Sequence, residues 1–176
     1  MRLRKLIRLR SVPSTQTRAR RLAEAGAPAG TLVLAERQSR GRGRMDRSWS
    51  SGPGGLYFSL ILRPEIRPSR LASMSLRAAR VCARAVAEET DLRVRIKPPN
   101  DILAKRKDSS DPFRKVCGIL LEAAGDTRRV HWVVLGVGVN ASNRLPEGLS
   151  HAATLSGLCR RRISRRRILR SILVNL

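Results

Sequence analysis

The sequence predicts an α+β fold: a mixed, mostly antiparallel sheet covered by helices. Two observations carry that prediction. Short apolar runs at residues 31–36, 56–62, 116–123 and 130–139 are bounded by breakers, as buried strands are, while residues 14–25, 69–89 and the stretch after 164 carry a helical period. These strands and helices do not alternate steadily as βαβ units would, which disfavours a parallel doubly wound sheet. At 176 residues the chain is long enough for one domain with a real core and too short for two full ones.

Residues 3–10 alternate in polarity like a strand, and Ser14-Thr15 then opens a helix running to Ala25, with Gly26 in the stopping position. After the turn Ala27-Pro28-Ala29-Gly30 comes the strand at 31–36. Residues 39–55, rich in glycine and arginine with no apolar period, read as a long flexible loop. A strand at 56–62 follows. Ser69 is placed to cap a long helix to Glu89, whose Leu71, Met74, Ala78, Val81, Cys82 and Val86 recur near every 3.6 residues. Residues 93–96 form a strand that Pro98-Pro99 must break by removing two backbone donors. Another extended piece begins at Ile102-Leu103, residues 105–114 are polar and charged, and the Gly125-Asp126 turn joins the last two strands as an antiparallel hairpin. Ser164 is placed to cap a final helix with Ile168, Leu169, Ile172 and Leu173 on one face.

No stretch approaches the ~18 apolar residues of a membrane span, and residues 1–10 alternate arginine with leucine and isoleucine instead of forming a signal segment, so a cytoplasmic protein is expected. Cys82, Cys117 and Cys159 are odd in number and widely spaced, which speaks for buried free thiols over a disulfide framework or a metal site. The net charge of +24 points by itself to nucleic acid, an acidic partner or an anionic surface. Only five of the 37 basic residues are lysines, and many arginines have the spacing of solvated helix faces, so much of that charge reads as compositional bias.

The chemistry concentrates in four segments. Gln38-Ser39-Arg40-Gly41-Arg42-Gly43-Arg44-Met45-Asp46-Arg47-Ser48-Trp49 combines glycines that fold tightly with guanidinium forks suited to carboxylate and phosphate. Alone, such a loop fits an anion site, an RNA contact or a disordered stretch equally well. Lys97-Pro98-Pro99-Asn100-Asp101 places a cation, an amide and a carboxylate around a rigid turn, able to meet a phosphate and a magnesium ion. Lys115 stands at the mouth of the apolar run Val116 to Leu121, which Glu122 ends. Gly136-Val137-Gly138-Val139-Asn140 leaves two side-chain-free positions on one face of a strand, room for a flat ligand.

With Ser14-Thr15 and Gly54-Gly55-Leu56-Tyr57-Phe58-Ser59, these segments occur in the order and approximate spacing of the biotin–protein ligase family, which the chain resembles from about residue 5 to its end. The resemblance implies a fold like the biotin ligase and class II aminoacyl-tRNA synthetase catalytic domains. It implies ATP and Mg²⁺ as cofactors, biotin as substrate, and a biotin carboxyl carrier domain of acetyl-CoA carboxylase or a related carboxylase as partner. A homodimer is compatible with it, and nucleic acid is disfavoured as a partner.

Carried over residue by residue, the resemblance puts Ser14, Thr15, Gln38, Arg42, Arg44, Lys115, Gly136 and Gly138 at biotin. It puts Arg42, Arg44, Arg47, Trp49, Lys97, Asn100, Asp101 and Asn140 at the nucleotide. Lys97, Lys115, Arg42 and Asp101 are the implied catalytic residues, and Asp101 the implied magnesium ligand. The chain departs from the family pattern at Pro98, where an aromatic residue is usual, at Met45-Asp46, where a basic-Gly pair is usual, and in a longer connection at 105–114. Residues 1–176 read as the catalytic domain, with no DNA-binding domain before it and the C-terminal SH3-like barrel of relatives missing. A lipoate or octanoate transferase of the same superfamily and a basic nucleic-acid-binding module are the alternatives; against the second, only five Phe, Tyr and Trp residues are present, not arrayed as a stacking platform.

Overall fold

Seven strands form one sheet in the computed structural model, which describes residues 3–176. The first two residues, part of the reading of residues 1–10, lie outside the described ones. The strands are β1 (Lys5–Leu9), β2 (Thr31–Ala35), β3 (Leu56–Leu62), β4 (Leu92–Lys97), β5 (Asp101–Arg106), β6 (Arg114–Gly125) and β7 (Val130–Val139). The helices are α1 (Thr15–Glu24), α2 (Leu71–Glu89), α3 (Leu155–Cys159) and α4 (Arg165–Asn175). The order across the sheet is β1-β2-β3-β7-β6-β5-β4. Only β1 and β2, joined through α1, pair in parallel; every other neighbour is antiparallel. The expected mixed, mostly antiparallel α+β fold is the one found.

The period of two on β3 and β7 sorts side chains to two faces. Phe58, Leu60, Leu135, Val137 and Val139 join Ile102, Cys117 and Ile119 beneath α2 and α4 in the main core. On the other face, Val33, Ile61, Trp132 and Val134 pack against Ala19 and Ala23 of α1. Helix α1 covers only part of that second face, and the rest is left for the site.

Local chemistry explains most element ends. The Ser14 side chain accepts from the Thr17 amide at the start of α1, and Gly26, at φ 84°, follows its C-cap in the left-handed conformation that glycine tolerates best. Ser164 likewise caps α4 by accepting from the Arg167 amide. Ser69 does not cap α2: Pro68–Arg70 forms a 3-10 turn, Arg70 is the N-cap residue, and no side chain caps it. The buried stripe of α2 lies in its C-terminal half, at Ala78, Ala79, Cys82, Ala85, Val86 and Glu89, while Leu71, Met74 and Val81 of the predicted period are only partly covered. Buried Glu89 then receives the Ser164 amide at 2.9 Å and faces Arg161 and Arg167, tying the end of α2 to the start of α4.

Cys82 and Cys117 are buried free thiols as expected, and the Cys82 contact together with burial pushes the Cys117 thiol up; Cys159 is only partly covered. Among the described residues no helix is long and apolar enough to cross a membrane.

Candidate functional site

Residues 38–51 are not a structureless loop. They form an ordered hairpin arm, because the strand-like bridges Gln38↔Ser51 and Arg42↔Ser48 and the bonds from Trp49 N to Gly41 O (2.9 Å) and Gly43 N to Arg47 O (2.7 Å) satisfy its backbone. The apolar period that marks a buried strand is absent, since the arm packs its backbone and one indole instead of a hydrophobic face. At the tip, Met45 and Asp46 both have positive φ, 51° and 54°, and Arg47 N donates to Arg44 O at 3.2 Å, the two-residue turn whose twist suits a hairpin. The arm's base is fastened to the entry of α1 through Ser39 N to Val12 O (3.1 Å) and Arg40 N to Pro13 O (2.8 Å).

The arm reaches over the free half of the second face. There the register lines up Tyr57, Gly138, Gly118, Asp101 and Lys97 across five strands, and Ser59, Gly136 and Leu120 in the next row. A Cβ on Gly138 would lie 2.5 Å from Trp49 Nε1, and one on Gly118 2.8 Å from the same indole. Trp49 therefore lies flat on the glycine floor that the sequence left open for a ligand. A Cβ on Gly136 would lie 2.3 Å from Gln16 Oε1, so that glycine makes room for a neighbouring side chain. Between arm and sheet remains a cavity of about 250 Å³. That is just below the usual range for a ligand pocket, roughly 300–1,000 Å³, as expected with the indole already on the floor.

A continuous polar network lines one end. Thr15 donates from both its amide (2.7 Å) and its hydroxyl (3.0 Å) to Gln38 Oε1, and Gln38 Nε2 donates to Ser51 Oγ at 2.8 Å. The Ser59 hydroxyl lies 3.0 Å from both Thr15 Oγ1 and Gln16 Oε1, and Gln16 Nε2 donates to Glu122 Oε2 at 2.9 Å. Glu122 Oε1 in turn pairs with Arg42 Nη1 at 2.9 Å. At the other end, Arg44 Nη1 donates to Asn100 Oδ1 at 3.1 Å, and Lys115 Nζ pairs with Asp101 at 2.8 Å while standing 5.2 Å from the Trp49 ring centre. Cations and hydrogen-bonding groups thus face each other across one space, an arrangement able to hold an acid with a polar head beside a phosphate.

Of the residues singled out in the sequence, Ser14, Thr15, Gln38, Arg42 and Arg44 line this cavity, as do Arg47, Trp49, Asn100 and Asp101. Lys115, Gly136, Gly138 and Asn140 complete it. Lys97 does not. It pairs in register with Asp101, but β4 is the edge strand, which leaves Lys97 exposed one strand beyond the cavity wall. Gln16, Ser59, Glu122 and His151 were not singled out. Gln16, Ser59 and His151 line the cavity, and Glu122 joins its network. Glu122 was legible in part, since strand parity puts it on the face of Gly118; Gln16 and His151 had no pattern to mark them.

Asp101, the carboxylate lining the cavity, is engaged by Lys115, so the protein offers an ion there a single, already paired carboxylate. Magnesium keeps most of its waters and is commonly carried on nucleotide phosphates, so no step below is routed through a protein-held ion.

Residues 9–140 match the family described as the biotin/lipoate A/B protein ligase family. The chain is 39% identical over 166 residues to the bifunctional ligase/repressor BirA of Bacillus subtilis (strain 168), covering 92% of this chain and 49% of that protein. It is 37% identical over 129 residues to the biotin--[acetyl-CoA-carboxylase] ligase of Paracoccus denitrificans, covering 72% of this chain and 50% of that protein. Among solved structures, the biotin protein ligase from Aquifex aeolicus in complex with biotin and ATP superposes with a TM-score of 0.78 at 32% identity, over 98% of this chain and 68% of that one. The chain spans about half the length of the curated relatives it matches.

Proposed function

The chain belongs to the biotin/lipoate A/B protein ligase family, and from that premise we propose that it activates biotin with ATP and transfers the biotinyl group to a lysine of a carrier protein. One observation supports this most directly: Arg44, Trp49, Lys115 and Asp101 share a single cavity with Arg42 and the Thr15–Gln38 network at its other end. The Aquifex relative, similar over nearly the whole chain, is a complex with biotin and ATP. We read residues 1–176 as the catalytic domain of such a ligase.

In the first step a biotin carboxylate oxygen attacks the α-phosphorus of ATP, the bond to the bridging oxygen breaks, and pyrophosphate leaves biotinyl-5′-adenylate. Both reactants are anions. Arg42, Arg44 and Lys115 offset their repulsion, and Thr15, Gln38 and Ser14 present the donors and acceptors a ureido ring needs. Arg47, Asn100 and Asn140 stand on the nucleotide side, and Lys97, exposed beyond the wall, meets only groups that project past the rim. In the second step a neutral lysine amine of the carrier attacks the acyl carbon and AMP departs; Asp101 is the carboxylate placed to orient that amine or take its proton. The arm covers the adenylate and keeps water from hydrolysing it.

Pyrophosphate release from ATP, Mg²⁺ and the protein, with biotin, with lipoate and with neither, tests the reading. Release that depends on biotin is expected; release driven by lipoate, or none, removes it.

A further inference from the structure

We propose that Glu122 is the residue that positions Arg42, and with it the arm, to receive the acid substrate. The proposal deepens the ligase reading and rests on it for the identity of the acid. The starting observation is that a carboxylate stands on the ligand-facing side of the sheet, where an acid must bind, with both oxygens engaged. Oε1 pairs with Arg42 Nη1 at 2.9 Å and Oε2 accepts from Gln16 Nε2 at 2.9 Å.

Gln16 cannot swing away. It is 3% exposed, its Nε2 also donates to Val134 O at 3.2 Å, and its Oε1 lies 3.0 Å from the Ser59 hydroxyl. A chain of constraint therefore runs from β7 and α1 through Gln16 to Glu122, and crosses to the arm at Arg42. The pair is partly shielded, with side-chain exposures of 34% for Arg42 and 20% for Glu122, so it is held more firmly than a surface ion pair. Only Nη1 of Arg42 is engaged among the described residues, which leaves the rest of its planar fork for a ligand carboxylate or phosphate. A guanidinium fixed at one corner loses less freedom on binding than one waving on a hairpin, and that difference appears in affinity.

Glu122→Gln is the discriminating variant, because it keeps the shape and removes the second acceptor. Whichever way the amide turns, an N–H₂ group faces either Gln16 Nε2 or the Arg42 guanidinium, donor against donor. Hydrogen exchange of the ligand-free protein, read by mass spectrometry on peptides covering residues 40–50, reports the arm; peptides from β7 report the sheet. The expected result is exchange about tenfold faster in the arm with β7 unchanged. With substrates, KM for biotin rises about tenfold and kcat falls by less, since Arg42 also offsets charge in the first step. Gln16→Leu, which leaves the charge but frees Glu122 to rotate, moves both readouts the same way by less, and carries the test if Glu122→Gln does not fold.

Unchanged arm exchange in both variants overturns the proposal. So does arm and β7 exchange rising together, which would make Glu122 a general support, and so does a fall in kcat with KM for biotin unaltered. The exchange measurement needs no substrate. Failure of the ligase reading would instead appear as absent biotin-dependent pyrophosphate release in the unaltered protein, with arm exchange still deciding the role of Glu122.

Discussion

A methyl group on residue 138 would sit 2.5 Å from Trp49 Nε1 and 2.6 Å from Cε2, closer than any real side chain allows. Gly138→Ala therefore has to lift the indole off the sheet, while the strand itself, with Gly138 paired to Tyr57 and Gly118, can accept an alanine. The expected cost is about 1–3 kcal/mol of arm packing, with the core intact. In a Trp132→Phe background the emission of Trp49 should shift to the red and biotin affinity should fall, while thermal unfolding stays cooperative. An unshifted emission would mean that the indole does not rest on Gly138. At this scale the sequence was legible in part: Gly136 and Gly138 were read as leaving room on one strand face for a flat ligand, and in this structure the Trp49 indole lies over Gly138 and Gln16 beside Gly136. What it could not reveal was the occupant, because the partner, Trp49, comes from an arm with no periodic signal. Lys97 lies outside the cavity wall for a related reason, since its motif does not disclose that β4 is the outermost strand.

Hairpins carry the site at the scale of elements, and their turns are where polar chemistry sets stability. The turn joining β6 to β7 closes on Asp126, whose Oδ1 accepts from the Arg128 and Arg129 amides at 2.8 and 2.9 Å, with His131 Nε2 at 3.0 Å from Oδ2. The Arg129 amide, then the Arg128 amide and His131, hold its carboxyl below the usual carboxylate range. The sign follows from linkage: a depressed folded value means the contribution is fully present above the unfolded value, about pH 4, and is lost as pH falls through the folded one. Asp126→Asn should thus be less stable than the parent at neutral pH, with the gap closing on acidification below about pH 4. Urea midpoints of the two proteins across that range measure it, and a gap that persists or widens in acid would refute the assignment. The same hairpin was readable in advance, as were β2, β3 and both capped helices, because local turn and cap chemistry agreed with apolar period. The 3-10 start of α2 and the short α3 were not, since both are fixed by tertiary packing with weak local preference.

Over the whole molecule, charge is the term that local structure leaves unbalanced. Even if each of the 13 acidic residues neutralised one cation, 24 of the 37 basic residues would remain without a compensating charge. Glu89 already serves two arginines, and the Arg144–Glu147 pair is almost fully exposed and contributes little. Folding gathers these cations onto one small surface, so self-repulsion must oppose the compact state. Raising ionic strength from about 0.01 M to about 0.1 M shortens the screening length from about 30 Å to about 10 Å, which is enough to damp repulsion between charges on opposite edges of a domain this size. The thermal midpoint should therefore rise with sodium chloride over that range, the reverse of a protein held together by surface ion pairs. The increase should be as large in Glu122→Gln as in the parent, because the partly shielded Arg42–Glu122 contact is a local device and the repulsion is global. Scanning calorimetry at constant pH decides the matter: a midpoint that falls with salt would mean that the paired charges outweigh the unpaired ones, and the surface would have to be read as a stabilising network instead of an excess held in check by solvent.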